Sequence, residues 1–174
     1  MTKTKYFIAL LFLTLTLNSF GQNICGIYVD TNKIFLDENL DMFLSKLNTE
    51  TFQTFKDKKQ LPQFLKLQLN CLTKDSFSIA NPNEGYRCCC TSSQKLPKRK
   101  LLFFSTSKDI LLMTYLTGGV GVSTTILMLK FKDDKIIDIW TGYGFPEFKT
   151  RKQVLRHINI KRKKEFGLHS NIDI

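Results

Sequence analysis

The sequence predicts an α+β fold: N-terminal helices packed on a four- to five-stranded antiparallel meander, followed by a basic C-terminal helix. Three observations carry this reading. Leu40, Phe43, Leu44 and Leu47 recur at i, i+3, i+4 and i+7, which paints one face of a helix. After Tyr86 the pattern changes to dense apolar and β-branched runs, at Leu101 to Thr106, Ile110 to Thr117, Thr124 to Lys132 and Ile136 to Thr141. The gaps between them are short and turn-like, which favours antiparallel neighbours. Finally, Lys149 to Lys164 holds eight basic residues and no acidic one around Val154, Leu155 and Ile158, the composition of a helix docked by a single stripe.

The elements follow in chain order. Lys3 and Lys5 precede an eleven-residue apolar and threonine run from Phe7 to Leu17, and Ser19-Phe20-Gly21 places small residues where a signal peptidase reads them. Residues 1–21 are therefore expected to be a secretory signal peptide cut after Gly21, and residues 22–174 a single secreted α+β domain. The run is about half the ~20 residues that span a bilayer as a helix, which argues against an uncleaved anchor. Asn23-Ile24 before Cys25 lacks the small residues of a lipoprotein signal. Ile27-Tyr28-Val29 and Ile34-Phe35-Leu36 read as two extended pieces around the polar turn Asp30-Thr31-Asn32, and Asp37 as the cap of the helix that follows. Thr51 to Lys59 reads as a second helical piece with Phe52 and Phe55 on one side. Leu61 to Leu72 fits both periods, but it is leucine-rich, has no β-branched residue and starts with Pro62, so helix is the better assignment. Asn81-Pro82-Asn83-Glu84-Gly85-Tyr86 is a turn-rich connector, and the last helix is expected from about Glu147 to Arg162.

The formal charge of +11 drops to +9 without Lys3 and Lys5, and the basic segment accounts for nearly all of the remainder. Arg151, Lys152, Arg156, Lys161 and Arg162 form the candidate anion-binding surface. Such a surface attracts anionic partners, and after export these are an anionic envelope surface or an acidic protein. Nucleic acid is not expected, because the segment lacks aromatics that stack on bases.

All five cysteines, Cys25, Cys71, Cys88, Cys89 and Cys90, lie after the signal, where an oxidising compartment permits disulfides. Adjacent Cα atoms are ~3.8 Å apart, below the ~4.4 to 6.8 Å that a disulfide prefers, so partners come from outside the triplet. Cys71 is expected to pair with one of Cys88, Cys89 and Cys90. There is no C-x-x-C spacing, and the histidines, His157 and His169, sit far from the cysteines, so neither a metal site nor a redox pair is expected.

Thr117-Gly118-Gly119-Val120-Gly121-Val122-Ser123-Thr124 resembles the variant phosphate-binding loop of the ATPases related to septum-site and arsenite-pump proteins, Lys-Gly-Gly-x-Gly-Lys-Ser/Thr. Thr117 and Val122 stand where both lysines belong, and Thr124 onward reads as strand rather than helix. The run is therefore expected to be a hairpin connection without a nucleotide cofactor. Ile110 to Leu129 is uncharged over twenty residues, but its polar, glycine-containing middle suits two strands better than a transmembrane helix. No nucleophile with a base and no carboxylate pair stands out: Ser123 lacks the G-x-S-x-G context, and no spacing joins His157 to a carboxylate. The expected function is a non-enzymatic envelope or extracellular binding module, secreted or periplasmic. The alternative is a small secreted enzyme, hydrolytic or thiol-dependent, whose mark would be a cleft gathering His157, a carboxylate or an accessible cysteine.

Overall fold

The computed structural model describes residues 21–24, 26–73, 76–88, 95–119, 121–163, 168–170 and 174. The signal-peptide reading falls on residues outside these, apart from Gly21, as do Cys25, Cys89 and Cys90.

Strand β1 (Gly21–Ile24) pairs antiparallel with β2 (Ile27–Asp30), and Gly26 supplies a φ of +76° in the turn between them. Asp30 then ends the strand and starts a helix. Its carboxylate accepts the Lys33 N–H at 3.1 Å and caps α1 (Thr31–Phe35). Ile34 and Phe35, expected to be extended, are helical because this cap satisfies a first-turn donor. The cap expected at Asp37 is also displaced. Asp37 adopts φ +55°, and Asn39 takes the N-cap position of α2 (Leu40–Thr49), whose buried face is Leu40, Phe43, Leu44 and Leu47.

The helix expected over Thr51 to Lys59 is absent: β3 (Gln53–Phe55) pairs antiparallel with the strand at Arg99–Thr106, and a 3-10 turn follows at Lys58–Gln60. Residues three apart share one side of a helix but lie on opposite faces of a strand. Phe55 stacks on Phe104 at 5.0 Å in one apolar cluster, whereas Phe52 packs against the other, so burying both requires the extended form. The ambiguous leucine-rich stretch is helical, as α3 (Gln63–Leu72). Leu65 and Leu69, one turn apart, are fully buried, while Leu67, which alternation would have buried with them, is 58 % exposed.

The main sheet is antiparallel at its centre. Strands β5 (Arg99–Thr106), β6 (Ile110–Thr117), β7 (Ser123–Lys132) and β8 (Lys135–Gly144) run as a meander, each paired with the next. Short β3 extends it beyond β5, β9 (His169–Ser170) beyond β8, and β4 (Ile79–Ala80) adds a parallel pairing to β5. The last helix, α4 (Arg151–Lys161), is shorter than expected because Thr150 caps it. Residues 110–129 form β6, the glycine connection and the start of β7. Among the described residues no helix is long and apolar enough to cross a membrane.

Two buried clusters show how the layers meet. One joins Leu101, Phe104, Met113 and Leu127 of the sheet to Leu65 and Leu69 of α3 and to Ile27 and Val29 of β2. The other joins Phe103, Leu112, Met128 and Trp140 to α2 and to Val154 and Ile158 of α4. Helices therefore cover both faces of the sheet, which explains why its strands read as nearly continuous apolar runs rather than alternating ones. Each fully buried side chain of this size contributes ~1.5 to 3 kcal/mol.

The connections follow from local chemistry. Asp133 and Asp134, with φ of +49° and +58°, form a two-residue turn of the primed type that matches strand twist. Gln68 of α3 clamps that turn, donating to the Asp134 carbonyl at 2.7 Å and accepting the Ile136 N–H at 2.8 Å. The glycine run joins Thr117 of β6 to Ser123 of β7, which face each other in register. Gly118 is there for space: its N–H donates to Lys98 O at 3.0 Å, and a Cβ on it would lie 1.9 Å from the Arg87 carbonyl oxygen.

Candidate functional site

The basic segment becomes α4 because its ends are specified locally. Thr150 is extended, and its hydroxyl accepts the Gln153 N–H at 3.3 Å. The Gln153 side chain reaches back to accept the Lys149 N–H at 2.7 Å, a reciprocal arrangement close to a capping box. Val154 and Ile158, one turn apart and fully buried, fix the helix to the sheet, with Leu155 packed beside them. At 3.6 residues per turn this docking sends Lys152 and Arg156 to the opposite side, and both are exposed, as is Lys163 just past the helix end.

The five cations expected to form one surface divide in the structure. Lys152 and Arg156 face solvent, and Lys161 is half-buried. Arg151 faces inward: its guanidinium lies 4.8 Å over the Phe52 ring and donates to the Glu50 carbonyl at 3.4 Å. It therefore serves mainly to bind α4 to the chain after α2. Arg162 pairs with Asp41 at 2.6 Å, so part of its charge is compensated. The outward cations are Lys152, Arg156 and Lys163. Lys163 belonged to the basic run in the sequence; it lies two residues past the end of α4, in a turn that leaves it exposed.

Elsewhere the charged groups hold the structure together. Lys46 of α2 bonds Glu50 at 2.7 Å and Asp109 of the β5–β6 turn at 2.9 Å, and these bonds hold its pKa above the usual lysine range. The Glu50 carboxyl is correspondingly pushed below its ordinary value, first by the Lys46 bond and then by Ser107. Glu84 closes its connector, accepting from Lys58 at 2.6 Å and from the Asn81 N–H at 2.8 Å, and both bonds lower its pKa. Buried Arg99 lies 5.0 Å over Phe77 and donates to the Ile174 backbone oxygen. Asp37, displaced from its expected capping role, accepts Trp140 Nε1–H at 2.7 Å and Ser170 Oγ–H at 2.6 Å. Sequence reasoning missed this hub; its one signal was a lone tryptophan whose indole N–H needs an acceptor when buried.

His157 packs in the angle between α4 and the end of β8, its ring centroid 4.6 Å from that of Phe148. A Cβ on Gly144 would sit 3.1 Å from His157 Nε2 and 3.0 Å from the Phe148 ring. These are packing contacts. Among the described residues no cluster of three or more His, Cys, Asp or Glu side chains could hold a metal ion. Ser123 opens strand β7, so the glycine run does not lead into a helix N-terminus. Cys71, near the end of α3, is disulfide-bonded, and Cys88 is not its partner.

No known protein family, characterised protein or solved structure matches this chain.

Proposed function

We propose that the chain is a non-enzymatic, extracytoplasmic binding module that engages an anionic envelope or extracellular partner through the outward face of α4. The observation that supports this most directly is the exposed cations Lys152 and Arg156 on a helix whose other side is committed to the core, with exposed Lys163 just past its end. Charges of this kind act at long range and are screened beyond ~8 Å at physiological ionic strength, so binding is salt-dependent. The triple variant Lys152→Glu, Arg156→Glu and Lys163→Glu is expected to leave an anionic polymer column at markedly lower salt than the unchanged chain, with the same circular dichroism. Arg151 is left in place because its loss would also disturb the contact with Phe52. Elution of both proteins at the same salt would sink the reading.

The cysteines support the extracytoplasmic part of the proposal. A Cys71 bridge to Cys89 or Cys90 closes a short loop, which stabilises a fold by ~3 kcal/mol in the chain-entropy model. Non-reducing peptide mapping of the natively exported protein should recover Cys71 joined to the triplet peptide. Recovery of Cys71 as an alkylatable thiol would count against both the bridge and the oxidising location.

A further inference from the structure

We infer that the partner of α4 is an anionic lipid bilayer, and that Phe145 and Ile160 enter its headgroup region beside the cations. This rests on the anion-binding reading above and names the partner it lacks. Phe145 is 80 % exposed, the most exposed large apolar side chain among the described residues, and Ile160 is 48 % exposed. Neither has a place in the two apolar clusters.

Their position relative to the charges follows from the helix phase. Ile160 lies eight residues after Lys152, which puts it about 80° around the helix from that cation, on the flank leading toward His157. His157 abuts Gly144, so Phe145, the next residue after Gly144, stands beside the same flank. Pro146 follows at once, and its fixed φ stiffens the corner that presents the phenyl ring. Passing around α4 from the sheet-bound stripe, one therefore meets cations, then Ile160, then the corner carrying Phe145.

That order matches a bilayer surface better than a purely ionic partner. An acidic glycan has charge but no apolar phase to receive a phenyl ring. A bilayer offers anionic headgroups with hydrocarbon directly beneath, which is the pairing that interfacial proteins use. Each cation near such a surface strengthens binding about five-fold, so three together give about a hundred-fold.

The test uses the mature chain with vesicles of phosphatidylcholine alone or with about 30 % phosphatidylglycerol. The expected result is sedimentation with the anionic vesicles and not with the neutral ones. The double variant Phe145→Ser and Ile160→Ser should bind anionic vesicles about ten-fold more weakly, ~1.4 kcal/mol, with its polymer-column elution unchanged. A Phe145→Trp variant should blue-shift when vesicles are added, against the constant background of buried Trp140. If the double variant binds as tightly as the parent, or the introduced tryptophan does not shift, insertion is wrong while the anion-binding reading stands. Retention on the anionic polymer without any binding to anionic vesicles overturns the bilayer as partner. Insensitivity of both assays to the triple charge reversal instead removes the underlying reading.

Discussion

Gly118→Ala is expected to destabilise the domain by about 3 kcal/mol or more, the upper part of the range for forced overpacking. The added methyl group would sit 1.9 Å from the Arg87 carbonyl oxygen and 2.8 Å from the Cys88 Cα, both backbone atoms that no rotamer change can move aside. The strand end and the connector at residues 87–88 would have to separate, which also threatens the bond from Gly118 N–H to Lys98 O. For a domain of this size the loss corresponds to a fall in melting temperature of roughly 6 to 12 °C. Gly121→Ala is the control, because a Cβ there meets nothing within 4 Å. Equal melting temperatures for the two variants in a thermal scan would show that Gly118 is not needed for close approach.

Asp37→Ala should cost nearly as much, for two separable reasons. The first is the buried Trp140 N–H, which loses its acceptor together with Ser170 Oγ, a penalty of about 1 to 3 kcal/mol for an unsatisfied group. The second is backbone strain: Asp37 has φ +55°, a left-handed conformation that alanine enters less readily than aspartate, adding about 1 kcal/mol. Asp37→Gly removes only the second cost, so it should be the more stable of the two variants while still falling below the parent. Denaturant unfolding followed by near-ultraviolet circular dichroism of Trp140 measures both. If Asp37→Ala unfolds at the same midpoint as the parent, the hub contributes nothing to stability.

Much of the fold was legible because several elements declare themselves by one-dimensional pattern. The four central strands fall within three residues of their apolar runs, and α2 and α4 are phased as their leucines, Val154 and Ile158 require. The misread pieces are those decided by partners distant in sequence. Phe52 and Phe55 suggest a helix until the sheet supplies apolar surface on both sides of them. In the sequence Asp30 reads as part of a polar turn and Asp37 as a cap. Asp30 caps its own helix, while Asp37 answers a tryptophan 103 residues away. The candidate surface was half legible for the same reason. Charge is visible in a sequence, but the inward turn of Arg151 onto Phe52 depends on how α4 meets the chain after α2, and the exposure of Phe145 on the corner that follows β8.

Because helices cover both faces of the sheet, this fold forgoes the usual safeguard against mispairing. Where one face is wet, a one-residue slip of a strand drives its apolar side chains into water and is rejected at once. Here β6 and the centre of β7 are buried on both faces, so a slipped strand would still present leucine or methionine to either layer. The check has to come from elsewhere. It lies in the Asp133-Asp134 turn, which pairs Lys132 with Lys135, and in Gln68, which bonds the Asp134 carbonyl in that turn and the Ile136 N–H just after it. A misaligned hairpin would meet the wrong backbone groups at α3. Alignment of the β7–β8 hairpin is thus checked by its own turn and by one amide side chain from a different layer.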